Sequence, residues 1–340
     1  MPWTIGSDAN PNAANNITLA GRLAPLTTES FINIPNDVQV LGQMQRINAH
    51  EKYTFTAIAR EYNLGYNELR IANPNVDPWI PGADTAVFLP TMFVLPDAKR
   101  DGVLINLPSM RLLHFKQAST TNSHLVITSY PIGIGREGWA TPTGEFHITE
   151  KTRNPNWYPP ASVRKEHADL GDPLPAIVPS GPDNPLGLFK MRLSEPDYLI
   201  HGTNKPSGVG MRVSHGCIRL YPENIAALFE SVPSKTPVRI INQPALAGWR
   251  NGELYLEVYP PLAEDERDLA VLAHAQIEKA LAMQNVNITL NQQSIDTVIR
   301  ERRGLPFPIT TGTDLESYLT TARAIENIVP LQVNQETASR

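Results

Sequence analysis

Apolar residues follow two rhythms along this chain, a helical period near 3.6 and short β-rich runs, and these divide it into stretches of different character. Residues 1–45 are rich in Asn, Pro and Thr and read as an extended leader, with one short strand at Phe31-Ile32-Asn33-Ile34. Tyr53-Thr54-Phe55 reads as a strand. Phe55, Ile58, Ala59 and Tyr62 then fall at i, i+3, i+4 and i+7, one face of a helix, which Asn63-Leu64-Gly65 stops. Leu69, Ile71 and Ala72 predict a second short helix, ended by Asn73-Pro74-Asn75, and Val87-Phe88-Leu89-Pro90 a closing strand. Residues 46–95 thus predict a small α+β module in the order strand, helix, helix, strand.

From Asp101 the pattern turns to β. Residues 103–107, 111–115, 125–130, 144–148, 187–192 and 198–201 are candidate strands, and Val238-Arg239-Ile240-Ile241 closes the region. Between them, Asn154 to Asn184 carries seven prolines in 31 residues. A loop that long is functional or disordered, and Trp157 and Tyr158 favour an ordered lid over a site. Pro222 suits the first turn of a helix whose apolar face is Ile225, Leu228 and Phe229. The last third, 244–340, reads as a mainly helical extension: a helix in 263–283, a second capped by Ser294, a third capped by Thr313, and a disordered tail from Gln332.

The composition narrows the function. With 29 basic and 34 acidic residues among 340, the net charge is −5, which gives no basic footprint for nucleic acid. The 31 prolines rule out an all-helical chain. No run approaches the roughly 18 apolar residues of a membrane span. The first ten residues lack a basic n-region and a hydrophobic h-region, which leaves a cytosolic protein or a form whose signal was removed. A single cysteine, Cys217, excludes an intrachain disulfide framework and multi-cysteine metal sites.

That cysteine lies in Ser214-His215-Gly216-Cys217-Ile218-Arg219, with Ile200-His201-Gly202-Thr203-Asn204 upstream. An isolated cysteine is often a small buried hydrophobe, and a zinc site would need a further ligand that does not stand out. Nucleophilic catalysis accounts for more of the pattern. A neighbouring histidine can take the thiol proton and hold a thiolate beside imidazolium, which would lower the thiol pKa. Gly216 removes a Cβ where N–H groups could face a developing oxyanion. His201 and His215 could each be the base, because such arrangements are recognised by geometry.

These runs, with Tyr130-Pro131-Ile132-Gly133-Ile134-Gly135-Arg136, Ala140-Thr141-Pro142-Thr143-Gly144 and Pro185-Leu186-Gly187, resemble the L,D-transpeptidase catalytic domain of YkuD type over about 100–243. Ile58-Ala59-Arg60-Glu61-Tyr62, Ala72-Asn73-Pro74-Asn75-Val76-Asp77, Ile80-Pro81-Gly82 and Leu89-Pro90 resemble a LysM repeat, a peptidoglycan-binding module. Together with Gly248-Trp249 and Tyr255-Leu256 they extend the likeness to the ErfK/YbiS/YcfS/YnhG group of periplasmic enzymes. The resemblance implies a mainly β catalytic domain (a YkuD-like β-sandwich), a small LysM-like module and no cofactor or metal. It implies peptidoglycan stem peptides as donors, and an amine acceptor such as the C-terminal lysine of an outer-membrane lipoprotein. It further implies Cys217 as nucleophile, His201 as base oriented by the Gly202 carbonyl, His215 in support, and an oxyanion hole from the N–H groups of His215, Gly216 and Cys217. Arg219, Ser214, Tyr130, Gly133, Trp157 and Met191 are the implied substrate-binding residues.

Overall fold

The structure, a computed structural model, describes residues 30–118, 124–284 and 288–330. The first 29 residues of the expected leader and the expected disordered tail lie outside them. The chain begins with β1 (Ser30–Ile34), β2 (Val40–Gly42) and β3 (Gln45–Asn48), so strands start before residue 45. Helices α1 (Phe55–Glu61) and α2 (Tyr66–Ala72) lead to β4 (Ala86–Leu89) and β5 (Met92–Val94). β3 and β4 pair antiparallel around the two helices, and β2 pairs with β5.

The module therefore has the predicted order, but its first strand is Gln45–Asn48 and not Tyr53-Thr54-Phe55. Thr54 caps α1 by accepting from Ala57 N at 3.3 Å, and Phe55 already begins the helix. Cap chemistry outweighs the β preference of three residues. Phe55, Ile58, Tyr62, Leu69, Val87 and Leu89 close the module's core. Asn73 stops α2 and ties it to β4: its side chain donates to Leu69 O and Phe88 O and accepts from Phe88 N, all within 2.9 Å.

The region after Asp101 is built on β6 (Gly102–Asn106), β7 (Arg111–Gln117), β8 (Leu125–Pro131), β9 (Ile134–Gly135) and β10 (Gly144–Arg153). Helix α3 (Ala161–Asp169) precedes β11 (Phe189–Leu193), β12 (Leu199–His201), β13 (Arg212–Ser214) and β14 (Ile218–Arg219). Helix α4 (Pro222–Ser231) and β15 (Pro237–Ile241) complete it. Nine strands join in the order β1-β8-β7-β6-β15-β10-β11-β12-β14. β10 makes the corner. Its first residues, Gly144 to His147, pair with β15, whereas Ile148 to Arg153 pair with β11 across a register shift. A strand that changes partners at an irregularity turns a sheet over on itself. The concave side holds the main core, with Ile105, Leu112, Ile148, Met191, Ile200 and Ile218 packed against Ile225, Leu228 and Phe229 of α4.

The last third is not only helical. β16 (Ala245–Arg250), β17 (Glu253–Val258) and β18 (Phe307–Pro308) form an antiparallel sheet covered by α5 (Leu269–Gln284) and α6 (Gln292–Glu301). The β16–β17 turn is Asn251-Gly252, both at positive φ, as a two-residue hairpin demands. Asn291, not Ser294, caps α6, and Asp314, not Thr313, caps α7 (Leu315–Thr320). The chain then returns to the N-terminal module, where β19 (Arg323–Ala324) pairs with β3 in parallel.

A buried ion pair joins module to sheet. Arg111 on β7 donates to Glu68 on α2 at 2.7 and 3.1 Å, with both side chains about 5% exposed or less. Arg111 also donates to Ser129 Oγ at 2.6 Å. Nearby Asn67 N donates to Gly210 O, and a Cβ on Gly210 would lie 2.4 Å from Gly65 Cα. The two backbones touch because neither residue carries a side chain.

Glu257 lies at the second seam, fully buried, accepting from Val94 N at 2.6 Å and Tyr259 Oη at 2.5 Å. Burial pushes its carboxyl up to about 8. A folded-state value above the unfolded one adds stability below the ordinary carboxylate range, and that stability is lost as pH rises through about 8. Glu257→Gln should therefore gain stability relative to the parent as pH rises from 5 to 8, by a few kcal/mol at about 1.4 per pH unit. Urea unfolding at several pH values reads this directly. A parent–variant difference independent of pH would show that burial does not set the ionisation of Glu257.

Candidate active site

The two halves of the cysteine–histidine pattern meet at the edge of the sheet. β12 and β14 are parallel neighbours, with Ile200 opposite Ile218 and His201 opposite Arg219. Strand alternation places Ile200 and Ile218 in the core and turns His201 and Arg219 to the other face, with Cys217 just before β14. His201 is buried, and its Nδ1 lies 2.7 Å from Gly202 O. A carbonyl only accepts, so Nδ1 carries the proton and Nε2 is the basic nitrogen. Burial, with the neighbouring Arg219 charge, lowers His201 to about 3, against the opposing pull of the Gly202 and Leu186 carbonyls.

Cys217 is half-buried. Burial pushes its thiol up, only partly offset by the Leu199 backbone hydrogen bond and the Arg219 charge. Resting thiol and imidazole are both neutral at pH 7. Desolvation disfavours the charged form of each group, which stands against the expected thiolate–imidazolium pair. Arg219 lies close enough to act electrostatically on both groups, and its Nε is buried without a hydrogen-bond partner.

The loop carrying Cys217 is held by its own polar groups. Gly216 has φ of +98°, and a Cβ there would lie 2.8 Å from the Tyr198 ring. Gly216 O accepts from Thr141 Oγ1 at 2.8 Å, and Thr141 Oγ1 accepts from Gly135 N at 3.0 Å. Ser214 Oγ donates to Cys217 O at 2.6 Å, and Arg136 N donates to Ser214 O at 3.0 Å. Gly202 fits closely against Ile225, where a Cβ would lie 3.0 Å from Cγ2.

His215 is turned to a different task. Its Nε2 lies 2.9 Å from Glu166 Oε2, and its ring meets Trp139 edge-on at 4.8 Å. Of the two histidines, His201 therefore has the strand register with the cysteine, and His215 is committed to α3.

The expected substrate-binding residues divide. Ser214 is buried with its hydroxyl committed to Cys217 O, so it braces the loop. Tyr130 and Met191 are buried in the main core and do not line a surface, because both alternate to the inner face of their strands. Gly133 exchanges two backbone hydrogen bonds with Arg219 and is a spacing glycine, its absent Cβ leaving 3.0 Å to Gly208 O. Trp157 is half-buried and exchanges backbone hydrogen bonds with Val178.

That pair orders the proline-rich segment. Asn184, fully buried, donates to Pro155 O and Pro179 O at 2.8 and 3.0 Å and accepts from Leu186 N at 2.9 Å. Inside it lies α3, absent from the sequence reading, and Glu166 on α3 contacts both Arg136 and His215. Nothing in Ala161–Asp169 signals this, since only Val163 in the helix is buried and no apolar period forms.

Residues 100–240 match the model of the L,D-transpeptidase catalytic domain, YkuD. The chain belongs to the L,D-transpeptidase family and is an enzyme of that kind. It is 37% identical to the probable L,D-transpeptidase YbiS of Escherichia coli (strain K12) over 280 residues, 80% of this chain and 90% of that protein. The probable L,D-transpeptidase YcfS of the same strain is 38% identical over 74% of this chain and 79% of its own length. Among solved structures, the catalytic domain of an E. faecium L,D-transpeptidase is 20% identical, with a TM-score of 0.32 over 43% of this chain and 100% of that one.

The raised thiol value has a measurable consequence. Alkylation of Cys217 by iodoacetamide should be slower at pH 7 than that of an ordinary exposed thiol, and should climb with pH beyond the usual thiol range. His201→Ala should change the rate at pH 7 little, because no imidazolium is present to lose. A fast rate that levels off below pH 7 would restore the ion pair.

Proposed function

We propose that this chain is a cysteine L,D-transpeptidase of the periplasm that acts on peptidoglycan tetrapeptide stems. Cys217 attacks the carbonyl of diaminopimelate while its proton passes to His201 Nε2. The tetrahedral oxyanion is held by N–H groups of the His215-Gly216-Cys217 turn. Its collapse breaks the peptide bond to the terminal D-Ala, which leaves as an amine after taking the proton from His201. An acceptor amine then attacks the thioester, gives a proton to His201 and restores the thiol. The preferred acceptor is the C-terminal lysine of an outer-membrane lipoprotein.

The observation that carries this reading is the pairing of β12 with β14, which brings a tautomer-fixed histidine beside the strand that directly follows the cysteine. With Nδ1–H held by the Gly202 carbonyl, its unprotonated Nε2 is the nitrogen that takes the thiol proton as the sulfur attacks. The Gly202 carbonyl, fixed on Nδ1–H, stabilises the imidazolium that forms during attack. Gly202 and Gly216 allow the close approaches that the site requires.

Tetrapeptide sacculi incubated with enzyme, with and without lipoprotein, should yield peptide-linked lipoprotein and free D-Ala by mass spectrometry. Cys217→Ala should reduce this by at least about 10³-fold with the fold unchanged, since the covalent route disappears. A 3→3 cross-linked dimer would identify a stem peptide as acceptor, and tripeptide alone would identify water. Normal turnover by Cys217→Ala would overturn the nucleophile and support a wall-binding role without catalysis.

The order β3-α1-α2-β4 supports reading the N-terminal module as a LysM-like unit that holds glycan. Trp79 is 60% exposed, 6.2 Å from the Tyr66 ring, and its turn is fixed by Asp77, which accepts from the N–H groups of Trp79 and Ile80. Trp79→Ala should weaken sedimentation with purified sacculi several-fold while leaving iodoacetamide alkylation of Cys217 unchanged. Unchanged sedimentation would make the module a packing unit.

A further inference from the structure

We propose that Arg136 and His215 form the site that binds a carboxylate of the acyl donor, and that Glu166 of α3 occupies it as an internal surrogate which the donor displaces. This rests on the reading of the chain as a transpeptidase of stem peptides, whose donors carry free carboxylates at the terminal D-Ala and on diaminopimelate.

The geometry is that of carboxylate recognition. Glu166 Oε1 pairs with Arg136 Nη2, and its Oε2 lies 2.9 Å from His215 Nε2. Arg136 Nη2 and His215 Nε2 are 3.2 Å apart. The guanidinium can only donate, and the carboxylate accepts a hydrogen bond from His215 Nε2–H, so the short contact between the two donors persists because an anion bridges them. Arg136 and His215 both hold the Glu166 carboxyl below the usual carboxylate range, so it is ionised.

Glu166 uses the site incompletely. It takes one arm of the guanidinium fork, and Arg136 Nε is buried with no partner. A carboxylate in the guanidinium plane would bond Nε and Nη2 together, the stronger bidentate arrangement. The surrogate is also loosely attached. Val163 is the only buried residue of α3, Pro159-Pro160 precede the helix, and Gly171 at φ +78° follows it. A nine-residue helix held by one apolar side chain and one carboxylate is suited to move.

The site is continuous with the nucleophile. Arg136 N donates to Ser214 O, Ser214 Oγ donates to Cys217 O, and His215 is two residues from Cys217. A donor carboxylate seated here holds its peptide against the loop that attacks it. Release of Glu166 removes the bonds that tie α3 to Arg136 and His215, while Asn184 and the Trp157–Val178 pair keep the ends of the segment in place.

The test is peptide binding to full-length Cys217→Ala, which leaves the donor unreacted, by calorimetry. Three peptides are compared: a tetrapeptide stem ending in diaminopimelate-D-Ala, its C-terminal amide, and the stem amidated on the diaminopimelate carboxylate. Adding Arg136→Gln should weaken the parent stem about 10-fold, the worth of one charge-assisted pair. Adding Glu166→Gln should tighten it several-fold. One amidated peptide should bind weakly and be insensitive to Arg136→Gln, which identifies the carboxylate. If Arg136→Gln fails to fold, Arg136→Lys, which keeps the charge and loses the fork, should still weaken the parent stem and leave the same amide unaffected. Equal affinity for all three peptides would overturn the proposal. So would a Glu166→Gln that weakens all three alike, which would make Glu166 a brace. Failure of the unmodified enzyme to release D-Ala would count against the transpeptidase reading, while the binding comparison still decides the carboxylate site.

Discussion

The Glu68–Arg111 pair is the constraint on which the arrangement of the molecule rests. Two opposite charges, almost wholly withdrawn from water, hold the turn between α1 and α2 against β7. Removing Arg111 would leave the Glu68 carboxylate buried without its counter-ion, a loss of about 3–5 kcal/mol. The clamp's effects reach the site by backbone bonds. Asn67 N holds Gly210 O, Gly210 N holds Ile132 O, and Ile134 N holds Met211 O. These bonds set the register of β9 with β13, and Arg136 then bonds Ser214 on the Cys217 loop. The N-terminal module is thus part of the scaffold that aims the cysteine.

The electrostatics at the site favour a reaction over a resting charge. The Arg219 guanidinium disfavours imidazolium at His201 and favours thiolate at Cys217. Burial disfavours both ions. Proton transfer without substrate is therefore uphill. In the proposed reaction it becomes worthwhile only when the sulfur forms a bond and the negative charge moves on to an oxygen facing backbone N–H groups. A neutral thiol also resists oxidation better than a thiolate would.

Much of the catalytic region was legible because its signals are local. β-rich runs marked the strands, Pro222 marked the start of α4, and the His201 and Cys217 motifs carried their own chemistry. Legibility failed where long-range contacts decide. Gln45-Arg46-Ile47-Asn48 is too polar and short to read as a strand, yet β4 and β19 both pair with it. Asn251-Gly252 did carry a hairpin signal, but helical composition further on obscured the strands it joins. Glu166 was unreadable. Its role comes from a short helix without apolar periodicity meeting residues 30 and 49 positions away. Tyr130 and Met191 were placed on the surface of the site because linear proximity to a motif does not reveal which face of a strand a side chain takes.

The return of residues 323–329 to the N-terminal module has a consequence for how the protein is made. Tyr53 Oη bonds Val329 O, a span of 276 positions, and Tyr62 Oη bonds Glu326 O. β19 completes a sheet whose other strands emerge from the ribosome first. The N-terminal unit must therefore wait, with a strand edge open and two tyrosine hydroxyls without these partners, until residues 323–329 have been synthesised. Contacts of such sequence separation form slowly, because loop closure is opposed by chain entropy before any bond is gained. A chain cut short after α6 would retain His201, Cys217 and the sheet beneath them, yet would lack the closing strand. Residues 323–329 thus certify that the N-terminal module is finished.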